Sequence, residues 1–305
     1  MFKLHKKFIQ LLFFITVLIL LLTKPQKTLD YAAKGLSVWY KSMVPSLLPM
    51  MILSGCMIKL NITDAFASLL FPITRRLFHI GKTGTYALLI GLLCGFPMGA
   101  KVICELYTQK KLSKAEATAL LPICNNIGPI YMLSYGLKTF DAKPLYVILI
   151  LFYCIPLGYA FFYLRNKRFP CIHTSTTPPV NFVVALDESI SDGAAGILSL
   201  GGYLMFFNIL LVPLEFLPLS SKLKNLLACL VEITNGLSYQ SNLPPYLYLA
   251  LLQFGGLCCV FQTLKYTLKT DLNFRHYLFC KLRLTFITLA FFFVYYFFYF
   301  YVSYV

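Results

Sequence analysis

Apolar runs separated by short polar or basic loops make up most of the chain, and they differ in whether they are interrupted. Phe8–Leu22 follows Lys3, Lys6 and Lys7 and precedes Lys24, Pro25 and Lys27. With no small-residue cleavage site close behind, it predicts an uncleaved first anchor whose flanking lysines snorkel. Leu36–Ile58 is long enough to span, with a kink expected at Pro45 and Pro49. Ala65–Phe78 alternates apolar and polar residues at helical spacing and ends in Arg75 and Arg76, the pattern of an interfacial amphipathic helix.

Thr83–Leu106 is interrupted by Gly95-Phe96-Pro97-Met98-Gly99-Ala100. Ser113, with Glu116 three residues on, predicts a capped helix that climbs to Asn125-Asn126-Ile127-Gly128-Pro129 and continues to Gly136. Pro144–Leu164 is a plain span ending in Arg165, Lys167 and Arg168. Phe169–Val180 is polar and carries prolines, the mark of a linker.

A similar order then returns. Leu186–Asp192 is an acidic helix start, and Gly193–Leu217 is a glycine-dotted span. Ser221–Leu237 breaks at Glu232-Ile233-Thr234-Asn235-Gly236. Pro245–Leu268 breaks at Gln253-Phe254-Gly255-Gly256, with Gln262 beyond. Asn273–Arg283 is a short basic amphipathic piece before the aromatic final span Leu284–Tyr304. Each half is thus a span, two broken segments and a last span. Paired interrupted segments in matching positions point to an inverted-repeat transporter. The expected division is an N-terminal anchor (1–30), a first repeat (31–168), a linker (169–185) and a second repeat (186–305).

Composition agrees with this pattern. Charged residues make up 12% of the 305 and the mean hydropathy is +0.74, against about a quarter charged in soluble domains. The net charge of +16 is read as cytoplasmic loops, because no basic stretch is interleaved with base-stacking aromatics, and nucleic acid is not an expected partner. With a cytoplasmic N-terminus and a re-entrant first broken segment in each half, every arginine falls in the cytoplasm. So do Lys59–Lys82, Lys110–Lys114 and Lys265–Arg283. If every segment spanned instead, Arg165–Arg168 would be exported, against the positive-inside bias. Cys56, Cys94, Cys104, Cys124, Cys154, Cys229, Cys258, Cys259 and Cys280 lie in apolar sequence, with no CxxC spacing. His5, His79, His173 and His276 are scattered, so neither a metal nor a cofactor is expected.

A helix interrupted inside a membrane exposes N–H groups at one end and C=O groups at the other. Such breaks survive where they are buried in protein or line a polar cavity. The candidate substrate-binding residues in the first half are Phe96, Pro97, Gly99, Ala100, Lys101, Asn125, Asn126, Gly128 and Pro129. Those in the second half are Glu232, Thr234, Asn235, Gly236, Gln253, Gly255, Gly256 and Gln262. The bland alternative is that these glycines and asparagines merely permit kinks and close helix packing. Lys101 is read either as attracting an anion or as neutralising Glu105 one turn on. Glu232 is a solute contact, a proton or cation coupling site, or a cap on its own helix, whereas Glu215 is interfacial. The aromatics of Phe291–Tyr304 form a lipid-facing belt. No nucleophile–base pair or catalytic motif is evident, and an intramembrane transferase using Glu232 and Lys101 stays behind as a hypothesis.

The ordered set GFPMGAK, ELY, KLSKAEA and NNIGP, followed by EITNGL and FGGLCCVFQ, resembles the nucleoside-recognition (Gate) domain family over about residues 36–300. Within it the likeness is to the YlbJ-type sporulation membrane proteins. The resemblance implies an all-α polytopic fold of two inverted repeats with re-entrant, broken helices, similar to concentrative nucleoside transporters. It also implies transport of a small anionic or nucleoside-like solute by alternating access. Because the YlbJ type is linked to carrying dipicolinic acid across the outer forespore membrane, dipicolinic acid is the expected cargo. The expected location is the bacterial cell membrane or that outer forespore membrane. The lipid bilayer, a coupling cation or proton and a second copy of the chain are the other expected partners. The alternative is a non-transporting membrane scaffold needed for spore maturation.

Overall fold

Helix is the only regular structure among the residues described by the computed structural model, 2–133, 145–170, 180–236 and 243–303. The first half contains α1 (Phe2–Thr23), α2 (Pro25–Val38), α3 (Val44–Lys59), α4 (Thr63–Ala67), α5 (Phe71–Phe78), α6 (Lys82–Cys94), α7 (Met98–Thr108), α8 (Lys114–Cys124), α9 (Pro129–Tyr131) and α10 (Leu145–Leu164). The second contains α11 (Phe182–Ile209), α12 (Val212–Phe216), α13 (Ser221–Val231), α14 (Ile233–Gly236), α15 (Pro245–Phe254), α16 (Gly256–Thr267) and α17 (Phe274–Ser303). Among the described residues five helical stretches are long and apolar enough to cross a membrane, or up to six if the bent pair α5 and α6 counts as one. The continuation to Gly136, most of the 169–180 linker with His173, and Leu237 lie outside the described residues.

Two long rods form the spine. Pro25–Lys59 is continuous except for a π-helical turn at Trp39–Met43, where Val44 N–H bonds to the Trp39 carbonyl. Pro45 has no N–H to offer one turn back, so the kink expected at the prolines takes this form just before them. The rod also begins earlier than the expected Leu36, because Pro25 at a helix start is tolerated and nothing breaks the chain until Leu60. The second rod, Phe182–Phe216, runs antiparallel to it. Gly35 faces Leu204 and Asn208 near one end, Gly201 faces Trp39, and Gly55 faces Ser189 near the other. With no side chain at these points the two backbones approach closely, as small residues allow between membrane helices. Trp39 Nε1 adds a hydrogen bond to the Ile197 carbonyl at 2.7 Å.

Side-chain ties define two ends. At one, Lys59 pairs with Glu188 (2.8 Å) and Asp192 (3.0 Å), and Lys111 donates to the Ile58 carbonyl (3.1 Å). There too, Lys114 pairs with Asp271 (2.6 Å) and Tyr163 bonds to His276 (2.7 Å). The expected cytoplasmic loops are therefore neighbours. At the other end Lys27 pairs with Glu215, Tyr31 OH donates to the same carboxylate (2.9 Å), and Lys224 donates to the Glu215 carbonyl (3.0 Å).

Two further expectations change. Ala65–Phe78 is not one helix but two short ones, α4 and α5, separated by a turn at 68–70, with Pro72 in the first turn of α5. Asn273–Arg283 is not a separate piece: no glycine or proline follows it, so α17 runs unbroken from Phe274. Ser113 Oγ accepts the Glu116 N–H at 3.1 Å as expected, but the Glu116 carboxylate accepts the Gly81 N–H (3.2 Å), tying the starts of α6 and α8 together.

Candidate functional site

The 13 residues of α6 rise about 20 Å at 1.5 Å each, short of a ~30 Å hydrocarbon layer. The chain then turns back on itself. Gly95 takes φ 75°, Phe96–Pro97 is cis, and α7 returns alongside α6. Gly91 and Gly99, four residues either side of Gly95, both face the Cys124 carbonyl oxygen at the end of α8. A straight helix would separate them by about 12 Å, so α6 and α7 form a hairpin with the end of α8 seated in its fork. The first two breaks are joined through their backbones: Phe96 N–H donates to the Asn126 carbonyl at 2.7 Å.

The second half presents its breaks from the opposite direction. Helix α13 starts beside the Lys27–Glu215 cluster and stops at Glu232, whose backbone is extended. Gly255 and Gly256 break the next span with φ 83° and 75°. A Cβ on Gly256 would stand 3.0 Å from the Cys229 carbonyl oxygen, and one on Gly128 would stand 2.6 Å from that of Cys94. In each half, then, the glycine of the second break rests on the backbone of the first. Across the halves, a Cβ on Gly255 would meet the Phe96 ring at 2.8 Å, and Gln253 Nε2 donates to Asn126 Oδ1 at 2.8 Å.

The four breaks share one cavity of about 250 Å³. Phe96, Gly128 and Pro129 line it from the first half, and Glu232, Thr234, Gly255 and Gln262 from the second. Ser46 with Met50 of α3, and Leu200 with Leu204 of α11, close the side toward the two rods. Glu232 Oε1 accepts the Thr234 N–H (3.1 Å) and Oε2 accepts Thr234 Oγ1 (2.5 Å). The carboxylate therefore caps α14 while facing the cavity. Gln262 Nε2 contacts Cys258 Sγ at 3.1 Å. Pro97 faces a small recess on the other side of Leu200 and Gln262, together with Tyr203 and Lys265.

Other candidates sit behind the wall. Gly99, Ala100 and Gly256 are packing positions, and Asn125, Asn126 and Gln253 are buried polar groups next to the cavity. Lys101 is half-buried on α7, does not line the cavity, and forms no ion pair with Glu105 among the described residues. The side-chain surroundings of Asn235 and Gly236 lie outside the described residues. No group of three or more potential metal ligands occurs among the described residues.

One residue of this region is missing from the sequence-based set. Lys281 of α17 is fully buried. Its ammonium donates to the Asn125 carbonyl (2.9 Å) and Asn126 Oδ1 (2.6 Å) and lies 4.5 Å from the centre of the Phe96 ring. The signal was a stripe: Tyr277, Lys281, Leu284, Thr288 and Phe292 recur at helical spacing, and all are fully buried. Reading Asn273–Arg283 as a separate basic amphipathic piece ahead of the final span conceals it.

Fold and site together define a polytopic α-helical membrane protein with broken helices around a central cavity. Over 120 residues the chain is 32% identical to the sporulation integral membrane protein YlbJ of Bacillus subtilis (strain 168). That match covers 39% of this chain and 29% of YlbJ, under a third of the relative's length. No family model and no solved structure matches the chain.

Proposed function

We propose that the protein is a membrane transporter of a small anionic or nucleoside-like solute, working by alternating access between two inverted repeats. The observation that carries this reading is the convergence of four broken segments, two from each half, on one cavity of about 250 Å³. A scaffold has no need of interrupted helices converging on a shared cavity, whereas a solute site at a repeat interface is built this way. The lining is largely apolar with a few convergent polar groups, which suits a planar ring with polar substituents. Dipicolinic acid is the preferred cargo. Its sporulation setting rests on the similarity to the Bacillus subtilis sporulation membrane protein.

Glu232 is the carboxylate that lines the cavity. An anionic solute beside it is repelled unless the charge is neutralised, so Glu232 is proposed as the site of a coupling proton or cation. Leu200 and Gln262 separate the cavity from the Pro97–Lys265 recess and stand where an inner gate would act.

Purified protein in liposomes should take up labelled dipicolinate in competition with unlabelled dipicolinate. Glu232→Gln and Gln262→Ala should each lower uptake by about tenfold, the loss expected for one buried hydrogen bond to a charged group. Folded protein that moves neither dipicolinate nor nucleosides would leave the scaffold reading in its place.

A further inference from the structure

The oxygens around Lys281 outnumber the donors that reach them. Asn125 ends α8, where the last carbonyls have no helical partner and carry partial negative charge. Its main-chain oxygen and Asn126 Oδ1 are held by the Lys281 ammonium. Two further buried amide oxygens of the same cluster, Asn125 Oδ1 and Gln253 Oε1, have no hydrogen-bond partner. Both belong to side chains with no exposed surface whose nitrogens are already committed, to Thr263 and Tyr277 in one case and Asn126 in the other. No described carboxylate forms an ion pair with Lys281. A buried ammonium with no ion pair among the described residues is costly unless dipoles replace its hydration. Here the end of a broken helix, an amide oxygen and the face of the Phe96 ring do so.

Half-helix C-terminal ends and unwound carbonyls are the groups that hold small cations in broken-helix membrane proteins. We propose that Lys281 is a tethered cation. Its ammonium occupies a monovalent-cation site built from the oxygens of the Asn125–Asn126 break, and a free cation binds there only when the lysine is removed. The lysine thereby positions the break: it links α17 to the tip that also receives the Phe96 N–H and Gln253. The inference does not depend on which solute is carried, or on whether one is.

The test follows thermal unfolding of the purified protein in choline, sodium and ethylammonium chloride at equal ionic strength. Wild type should gain less from sodium or ethylammonium, relative to choline, than Lys281→Ala does. Lys281→Ala should be less stable in choline and recover several degrees in sodium or ethylammonium. Lys281→Met should be less stable and recover in neither, because its thioether fills the site without charge. A purely space-filling role predicts the reverse, with Lys281→Met matching wild type. That result would overturn the proposal, as would an alanine variant that gains from neither cation or a wild type that gains as much. If Lys281→Ala does not accumulate in the membrane, Lys281→Ser carries the same comparison. Recovery of its midpoint in sodium or ethylammonium supports the tethered cation, and no recovery overturns it. Because no solute is involved, failure here leaves the transport reading intact.

Discussion

Single glycines carry more of the site than its polar side chains do. Gly99 faces the Cys124 carbonyl so closely that an added methyl group must move backbone and not a flexible side chain. Gly99→Ala should lower stability by about 1–3 kcal/mol, the range for overpacking a core, seen as a lower unfolding midpoint in detergent. An unchanged midpoint would mean that the fork between α6 and α7 is looser than described. The amino-acid sequence marks these positions as breakers but does not say which touch solute. Gly99, Ala100 and Gly256 turn out to be packing sites, while Gly128, Glu232 and Gly255 reach the cavity. Lys281 was hidden for a related reason. Its partners Asn125 and Asn126 lie more than 150 residues away along the chain, and only packing turns a lysine near a helix start into a buried cation.

Helices were easier to foresee than their joints. Apolar runs locate the spans because membrane helices must satisfy every backbone group internally. Whether α17 begins at Phe274 or Leu284 depends instead on whether a basic turn continues an existing helix, which polarity alone does not decide. Contacts between elements give sharper tests. Gly201 lies against the Trp39 indole, where a Cβ would sit 2.8 Å from the ring. Gly201→Leu should push the two rods apart, break the Trp39–Ile197 hydrogen bond and shift tryptophan fluorescence, since Trp39 is the chain's one tryptophan. The loop tie between α8 and α17 is electrostatic. Lys114, and next Tyr107, hold the Asp271 carboxyl below its usual range. The folded value lies below the unfolded one, so the contribution is present above the unfolded pKa and is lost as pH falls through the folded value. Acidification below about pH 4 should therefore loosen this loop in wild type but add nothing in Asp271→Asn, a difference that hydrogen exchange of Lys269–Leu272 would register.

At the scale of the whole molecule, contact geometry groups the same loops that the charge distribution groups. On the positive-inside bias, Arg165–Arg168, the Lys110–Lys114 turn and the loop before α17 are expected on the cytoplasmic side. The contacts Lys114–Asp271 and Tyr163–His276 bring those same loops to one end without reference to a membrane. The Lys27–Glu215 cluster and the start of α13 occupy the other. In the proposed transporter the α6–α7 hairpin starts from the basic end and α13 from the opposite one, the relation an inverted repeat requires. Cysteines placed at exposed Lys110, Lys269 and Lys222 test this directly, with labelling counted above that of the parent protein. A membrane-impermeant maleimide should label Lys110→Cys and Lys269→Cys in inverted vesicles and Lys222→Cys in intact cells. Labelling of Lys110→Cys and Lys222→Cys from the same side would mean that the first hairpin crosses the bilayer completely. The two sets of breaks would then no longer approach the cavity from opposite faces, and alternating access between inverted halves would lose its structural basis.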